Sequence, residues 1–299
     1  MRIALFIAAL LLPVAAVSAA PDCGGHGNRD GMLVTTKWLS EHLHDSDIVV
    51  LAVGQKGEFD QAHIPGAQYL DYNRIGLKPA ADRPNNLELP PMADLARFFS
   101  ELGVSNSSRV ILYVSKDMIS PMSRVYLTLD AMGLGAHASV LDGGLPAWQA
   151  EGRSVTTEVC APTPGKLEPC AQCDVIVAVD YVKSNLRHKG VDIIDARTPN
   201  YYSGETPGRN QRPGHIPGAA NVPYISLVDD AGKLKPVETL QEQFRAAGVK
   251  PGDRVVSYCH IGQQATVVYF VARYLGYDAR LYDGSFEDWS RHTDLPVEK

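Results

Sequence analysis

The chain has 299 residues, of which 45% are hydrophobic and 21% charged, and its net charge at pH 7 is −6. This length is enough for two globular domains, and this composition excludes a disordered or fibrous protein. Because there is no excess of cations to neutralise phosphates, nucleic acid is not an expected partner.

The first twenty residues differ from the rest of the chain. Arg2 precedes an almost wholly apolar run from Ile3 to Val17, and small residues follow at positions 18–20. This is the pattern of a cleaved secretory signal peptide. A membrane anchor is disfavoured because Pro13 interrupts the run, which is also shorter than the ~20 residues that span a bilayer. The sequence therefore predicts a signal peptide over residues 1–20 and a periplasmic or secreted protein without a membrane span.

The rest of the chain is a tandem duplication. Residues 63–67 read HIPGA, and the same five letters recur at residues 215–219. Four further pairs of segments can be matched around these copies, in the same order in each half. They are the apolar runs Ile48–Leu51 and Asp192–Asp195, the helical patterns Leu95–Leu102 and Leu240–Ala247, the strand-like runs Arg109–Tyr113 and Arg254–Tyr258, and the apolar helices that end at Gly133 and Gly276.

Strands that alternate with helices in this way predict an α/β fold in which a parallel sheet is covered by helices on both faces. Both copies close on an Asp-Gly pair followed by a tryptophan, Trp148 or Trp289. A proline-rich stretch without apolar periodicity lies between them and reads as an extended linker. We therefore predict one domain over residues 31–153, a linker over 154–173 and a second domain over 174–299.

The chemistry is expected at Cys259, which follows the strand Arg254–Tyr258. The loop reads CHIGQQA and leads into a helix that starts near Thr266. A thiol between a strand and a helix N-terminus meets unpaired backbone N–H groups and the positive end of the helix dipole. Such surroundings favour the thiolate, and Gly262 allows several N–H groups to converge on one point. The alternative is a buried structural cysteine, which is common.

At this point the chain resembles the tandem-domain rhodanese family of thiosulfate and 3-mercaptopyruvate sulfurtransferases, from about Leu33 to the end. The motifs that carry the resemblance are Asp195-Ala196-Arg197, the HIPGA turn at 215–219, the Cys259 loop, and Asp283-Gly284-Ser285 with Trp289. The resemblance implies two rhodanese-like domains and a Cys259 that takes sulfur from a small anionic donor. It also implies that the sulfur is held as a persulfide and passed to a thiol or cyanide, with no cofactor and no metal.

The first copy carries valine, Val114, where the second has its cysteine, and Leu51 and Val53 replace the polar pair Asp195 and Arg197. Since valine provides no nucleophile, the first domain is expected to be non-catalytic and to wall the active-site cleft, as the resemblance implies.

Several residues of the second copy are candidates for binding the donor. The loop that follows the cysteine contributes backbone N–H groups and polar side chains. Arg197 is ambiguous, because it could bind the anion or lock the loop through Asp195. The candidate donor-binding residues are His260, Ile261, Gly262, Gln263, Gln264, Ala265, Arg197, Arg209 and Arg212. We expect His215, Pro217, Gly218 and both tryptophans to be structural, because the first copy retains them.

Two other functions compete with sulfur transfer. A phosphatase is disfavoured because position 265 is alanine, where related folds place the arginine that binds phosphate. A non-enzymatic periplasmic persulfide carrier stays open, since it needs the same activated cysteine.

The donor is predicted to be thiosulfate. In the resembling family a small residue after the cysteine accompanies mercaptopyruvate, and His260 is not small. The relatives that use mercaptopyruvate hold it with two arginines; one falls at Tyr201 here, which leaves Arg209 or Arg212 as the other. Mercaptopyruvate therefore stays open as the alternative donor.

Four cysteines remain: Cys23, Cys160, Cys170 and Cys173. An even number in an oxidising compartment favours two disulfides of undetermined pairing. A structural zinc site is the alternative, and a redox role for the Cys170–Cys173 pair is disfavoured because it precedes a predicted strand, Val175–Val179.

Overall fold

The computed structural model describes residues 29–116, 119–169 and 174–299, so the predicted signal peptide lies outside the described residues. Each half of the chain contains five strands. They are β1 (Leu33–Val34), β2 (Ile48–Val53), β3 (Gln68–Leu70), β4 (Arg109–Val114) and β5 (Ala138–Leu141) in the first half, and β6 (Ile176–Val177), β7 (Val191–Asp195), β8 (Ala220–Asn221), β9 (Arg254–Tyr258) and β10 (Asp278–Tyr282) in the second.

Helices separate these strands. They are α1 (Arg29–Met32), α2 (Thr36–His42), α3 (Lys56–Gln61), α4 (Met92–Glu101), α5 (Ile119–Ala131) and α6 (Gly144–Ala150), then α7 (Val179–Ser184), α8 (Pro199–Tyr202), α9 (Val237–Ala246), α10 (Ala265–Tyr274) and α11 (Ser285–Arg291). Short 3₁₀ turns lie at Tyr72–Arg74, Gly135–His137 and Tyr224–Leu227. None of the helices in the described ranges is long and apolar enough to span a bilayer.

The two sheets have the same topology. The order is β1-β5-β4-β2-β3 in the first and β6-β10-β9-β7-β8 in the second, and all neighbours are parallel. The predicted α/β class and the duplication are therefore confirmed. The strand expected over Val175–Val179 is shorter, because Val179 already begins α7.

Each sheet buries both of its faces. The outer face of the first sheet packs around Trp148 and the outer face of the second around Trp289, and each indole N–H donates to a nearby backbone carbonyl. The inner faces form one continuous hydrophobic cluster that joins the two domains through α5 and α10. The prediction that both tryptophans are core residues is confirmed.

Polar contacts also join α5 to α10. The hydroxyls of Ser123 and Thr266 lie 2.7 Å apart, and the Tyr269 hydroxyl donates to Asp130 at 2.6 Å. Buried polar groups that pair across the interface help to fix how the two domains dock.

The two HIPGA turns are built alike. Gly66 and Gly218 have φ of +79° and +76°, values that favour glycine. The histidine that opens each turn forms an antiparallel bridge with a residue near the end of its own half of the chain, His63 with Thr156 and His215 with Glu298. The turn is therefore structural in both copies.

Candidate active site

Cys259 lies at the carboxyl end of β9, a central strand of the second sheet, and α10 begins at Ala265. The cysteine is fully buried, and its N–H donates to the Ser285 hydroxyl at 3.2 Å. Ser285 is the first residue of α11 and has φ of +53°.

The carbonyl groups of the loop are tied down on its outer side. The Cys259 carbonyl accepts from the Phe286 N–H at 3.0 Å, and the His260 carbonyl accepts from the Glu287 N–H at 3.0 Å. The Gly262 carbonyl accepts from Arg124 at 3.1 Å. Because C=O and N–H point in opposite directions across a trans peptide, these bonds turn the following N–H groups towards the inside of the loop.

Six consecutive N–H groups, from His260 to Ala265, have no hydrogen-bond acceptor among the described residues. They lie at the N-terminal end of α10, where the helix dipole adds positive potential. Such a run forms an anion-binding nest, so the loop can stabilise a sulfur anion or a bound oxyanion.

The His260 side chain is held neutral. Its Nδ1 lies 2.8 Å from the amide oxygen of Gln211, and the amide nitrogen of Gln211 donates to the His260 carbonyl at 3.1 Å. Since an amide oxygen only accepts, Nδ1 carries the proton and Nε2 is an acceptor. Burial first, and then the Arg197 charge, lowers the pKa of His260 from 6.5 to about 4. His260 therefore offers an anion no charge at neutral pH.

Arg197 forms a buried ion pair with Asp195. The two side chains are fully buried, with Nη2 2.6 Å from the carboxylate, and Nη2 also donates to the Gly214 carbonyl at 2.7 Å. The Asp195 carboxylate accepts from the Arg197 N–H at 2.9 Å as well. Of the two roles predicted for Arg197, this geometry supports the lock on the loop, while Nη1 has no partner among the described residues.

An open cleft of about 570 Å³ lies over the two residues that follow Cys259. Its lining includes Tyr201, Arg209, Gln211, His260 and Ile261 of the second domain, with Asn86 of the first. The Tyr201 ring meets the His260 ring edge to face at 4.6 Å. The cleft therefore brings together Arg209, His260 and Ile261 from the predicted set.

The structure does not bring Arg212 to this cleft. Its guanidinium donates to the carbonyls of Trp289 and Leu295, at 3.0 and 2.7 Å, and so fastens the C-terminal segment. This geometry does not support the expectation that Arg212 contacts the sulfur donor, because both terminal nitrogens of its guanidinium already donate to backbone carbonyls.

The two loop glutamines differ in their surroundings. The Gln263 amide donates to the Ser120 hydroxyl at 3.3 Å, so this side chain is directed to the first domain. The Gln264 amide oxygen is buried without a partner among the described residues. Gly262 has φ of +80°, and Asp283 and Arg124 occupy the space that a side chain would need at this position. Ala265 is fully buried at the start of α10.

Residues that reach the loop from the first domain were not predicted from the sequence. Arg124 of α5 is fully buried and binds both Gly262 and Asp283. Tyr72 places a buried hydroxyl without a partner in the described residues, within electrostatic range of Cys259, and burial raises the pKa of Tyr72 well above its ordinary value. The one sequence feature that could have indicated this role is the single arginine inside the apolar pattern of α5.

The matching loop of the first domain has no thiol. Val114 ends β4, and beyond it Lys116 pairs with Glu58 at 3.1 Å. A cavity of about 170 Å³ lies beside these residues. The geometry agrees with a first domain that does not carry sulfur.

The remaining cysteines are only partly described. Cys160 is exposed in the linker, while Cys23, Cys170 and Cys173 lie outside the described residues, so the disulfides stay a prediction. In the described ranges no three metal-ligating side chains come together.

Comparison with known sequences gives two matches to one family. The profile of the rhodanese-like domain matches residues 35–151 and 178–292. A sulfur carrier protein, TtuD, from Thermus thermophilus is 31% identical over 285 residues, covering 90% of this chain and 96% of the relative. A thiosulfate sulfurtransferase from Pseudomonas aeruginosa is 30% identical over 263 residues, covering 87% and 94% of the two chains.

Solved structures show the same fold. An anaerobic ergothioneine biosynthesis enzyme from Chlorobium limicola, in complex with trimethyl histidine, superposes with a TM-score of 0.78. The match covers 91% of this chain and 71% of the other, at 19% identity, so it bears on the fold alone.

Proposed function

The chain belongs to the rhodanese family, and from this premise we propose that it is a sulfurtransferase that moves the outer sulfur of thiosulfate to cyanide or a thiol. In the first half-reaction the Cys259 thiolate attacks the outer sulfur, the S–S bond of thiosulfate breaks, and sulfite leaves with the bonding electron pair. In the second, the acceptor attacks the persulfide sulfur and Cys259 leaves as a thiolate. No oxidant is consumed.

The six consecutive N–H groups after Cys259 that have no acceptor among the described residues are the observation that carries this proposal. Each half-reaction begins or ends with negative charge on sulfur, and fixed donors stabilise that charge without reorganising. Because His260 is neutral, its side chain adds no positive charge to that of the backbone N–H groups. Three other curated relatives, from Azotobacter vinelandii, Gallus gallus and Arabidopsis thaliana, are also named as thiosulfate or thiosulfate/3-mercaptopyruvate sulfurtransferases.

Intact mass tests the proposed carrier residue. After incubation with thiosulfate, the protein should gain one sulfur, about 32 Da, and cyanide should remove it. Cys259→Ser should abolish the gain, whereas Val114→Ala, at the matching position of the first domain, should keep it. An adduct that persists in Cys259→Ser would refute the assignment.

The choice of thiosulfate as the sulfur donor rests on the residues around the Cys259 loop. A mercaptopyruvate carboxylate lies several bonds from the sulfur and needs a cation in the cleft, but Arg212 is used by the C-terminal segment and Tyr201 fills the other expected position. Arg209, exposed at the cleft, is the cation that remains of the predicted pair. We therefore favour thiosulfate, and a kcat/KM tenfold or more in favour of mercaptopyruvate would reverse this choice.

A persulfide carrier is the second candidate, favoured by the relative that is named a sulfur carrier protein. A carrier and an enzyme share the activated cysteine, so both gain 32 Da. Turnover separates them: an enzyme releases thiocyanate repeatedly from thiosulfate and cyanide, whereas a carrier transfers its sulfur once.

We also propose that the chain is exported to the periplasm or secreted. The apolar run behind Arg2 and the even number of cysteines besides Cys259 support this. Denatured but unreduced protein from the periplasm should contain one free thiol, whereas five free thiols or bound zinc would count against the two disulfides.

A further inference from the structure

We infer that Arg124, a residue of the domain without a cysteine, is a positioning residue that holds the Cys259 loop in its anion-binding form. The inference rests on the proposed function, because it concerns how the same loop stabilises sulfur. Arg124 contacts the loop backbone and does not need to touch the substrate.

Arg124 is committed to three partners around the loop. Its Nη1 donates to the Gly262 carbonyl at 3.1 Å and to the Asp283 carboxylate at 2.5 Å, and its Nη2 donates to the Leu87 carbonyl at 2.5 Å. The arginine side chain is fully buried and that of Asp283 is 9% exposed. An arginine fork is rigid and planar, so three fixed acceptors leave it one orientation.

The contact with Gly262 decides the direction of a peptide group. Gly262 has φ of +80°, and glycine has the least resistance of any residue to rotation of its flanking peptides. If the peptide between Gly262 and Gln263 turned over, a carbonyl oxygen would face the sulfur where an N–H now does. Arg124 prevents this by holding the carbonyl outside the loop.

The other partners of Arg124 are themselves held from both domains. The Asp283 carboxylate also accepts from the Leu89 N–H of the first domain at 3.0 Å. Leu87 has φ of +62°, an unfavourable conformation for a residue other than glycine, and that conformation presents its carbonyl to Arg124. Strained residues of this kind persist where surrounding contacts require them, often at functional sites.

The duplication provides an internal comparison. Counting back from the glycine that ends each helix, Gly133 or Gly276, the residue of α10 that matches Arg124 is Val267. Helix α5, which contacts the Cys259 loop from the other domain, thus carries the arginine, whereas α10, which follows that loop in the chain, carries valine at the matching position. A need confined to the Cys259 loop explains this difference.

The decisive variant is Arg124→Lys, which keeps the positive charge and loses the fork. Alkylation by iodoacetamide should slow about tenfold or more at pH 7, where only a stabilised thiolate reacts quickly. At pH 9.5, where an ordinary thiol is largely ionised, the rate should stay within about twofold of the wild-type rate. The alkylation ratio, which is the rate at pH 7 divided by the rate at pH 9.5, should therefore fall in this variant. The kcat with thiosulfate and cyanide should fall about 10²-fold with little change in KM.

Tyr269→Phe is the matched control. It removes a buried hydrogen bond to Asp130 on the same pair of helices without a contact to the Cys259 loop. If weakening the interface were enough, this variant would show the same alkylation ratio and kcat as Arg124→Lys. We expect both quantities to equal those of the wild type, and equality of the two variants would overturn the inference.

Arg124→Met leaves the Asp283 carboxylate without its cation, so its failure to fold would carry no information about the loop. The double variant Arg124→Met with Asp283→Asn removes both charges, and it should fold and still show the lowered alkylation ratio. A wild-type ratio in this folded variant would overturn the inference. If the wild type fails to turn over thiosulfate but the ratio still falls in Arg124→Lys, the proposed function fails and the positioning role stands.

Discussion

Gly262→Ala tests whether the loop geometry, beyond the presence of its cysteine, determines activity. The substitution places a side chain at φ of +80°, which costs about 1–2 kcal/mol for a residue other than glycine. The added methyl carbon would also lie 2.6 Å from the Asp283 carbonyl oxygen and 3.3 Å from the Arg124 guanidinium. A contact of that kind forces backbone to move and adds about 1–3 kcal/mol.

We therefore expect Gly262→Ala to lower the free energy of unfolding by about 2–5 kcal/mol, measured as the shift of the urea transition followed by tryptophan fluorescence. The kcat/KM with thiosulfate should fall about 10²-fold, because the N–H groups that follow Gly262 shift with it.

Gly276→Ala supplies the matched control for this prediction. Gly276 ends α10 in the same domain with φ of +88°, and no atom lies within 4 Å of the position that a methyl carbon would take. The Gly276→Ala variant should lose only about 1–2 kcal/mol of unfolding free energy, the part that comes from the positive φ, and it should keep its kcat/KM. Equal losses of stability in the two variants, with activity retained in both, would refute the reasoning.

Three further predictions concern the cleft and its supports. Since the pKa of His260 is lowered to about 4 in the folded protein, the unfolded chain binds more protons at this residue between pH 6.5 and 4. The wild type should therefore lose stability relative to His260→Gln as the pH falls through that window. A difference in urea midpoint between the two proteins that does not change with pH would contradict this. Asp195→Ala leaves the Arg197 guanidinium buried without its carboxylate and should lower the free energy of unfolding by about 3–5 kcal/mol, whereas a loss below about 1 kcal/mol would show that the pair is dispensable. Arg209→Met should raise the thiosulfate KM a few-fold at unchanged stability, while Arg212→Met should lower the free energy of unfolding by about 2–3 kcal/mol in the urea transition. If Arg212→Met instead raised the KM and Arg209→Met lowered the stability, Arg212 would be the residue that binds the donor.

The sequence predicts the fold well because the duplication repeats each local pattern. A strand that is read uncertainly in one copy is supported by its partner in the other, as with Ile48–Leu51 and Asp192–Asp195. The Cys259 loop could be placed for a different reason, because the local order of strand, cysteine, glycine loop and helix is readable within one copy. Element ends were less predictable: the strand expected to run to Val179 ends at Val177, because helix α7 already begins at Val179.

The contributions of the first domain could not be predicted. Arg124 lies far from Gly262 in sequence, and nothing local in α5 tells which carbonyl its guanidinium meets. The contacts of Arg212 could not be predicted either. Its guanidinium meets the carbonyls of Trp289 and Leu295 only because of the path that the C-terminal segment takes in the fold. Long-range pairing of side chain with backbone leaves no pattern in a single sequence.

The burial of α5 and α10 bears on how this gene could change after its duplication. Twelve of the thirteen residues of α5 and nine of the ten residues of α10 are buried, so neither helix keeps a face suited to water. A mutation could remove the cysteine from one copy at no cost to folding, but deletion of either copy would expose an apolar helix and unpaired polar groups such as Asp130. The first domain can therefore dispense with a cysteine, yet the second domain cannot dispense with the first.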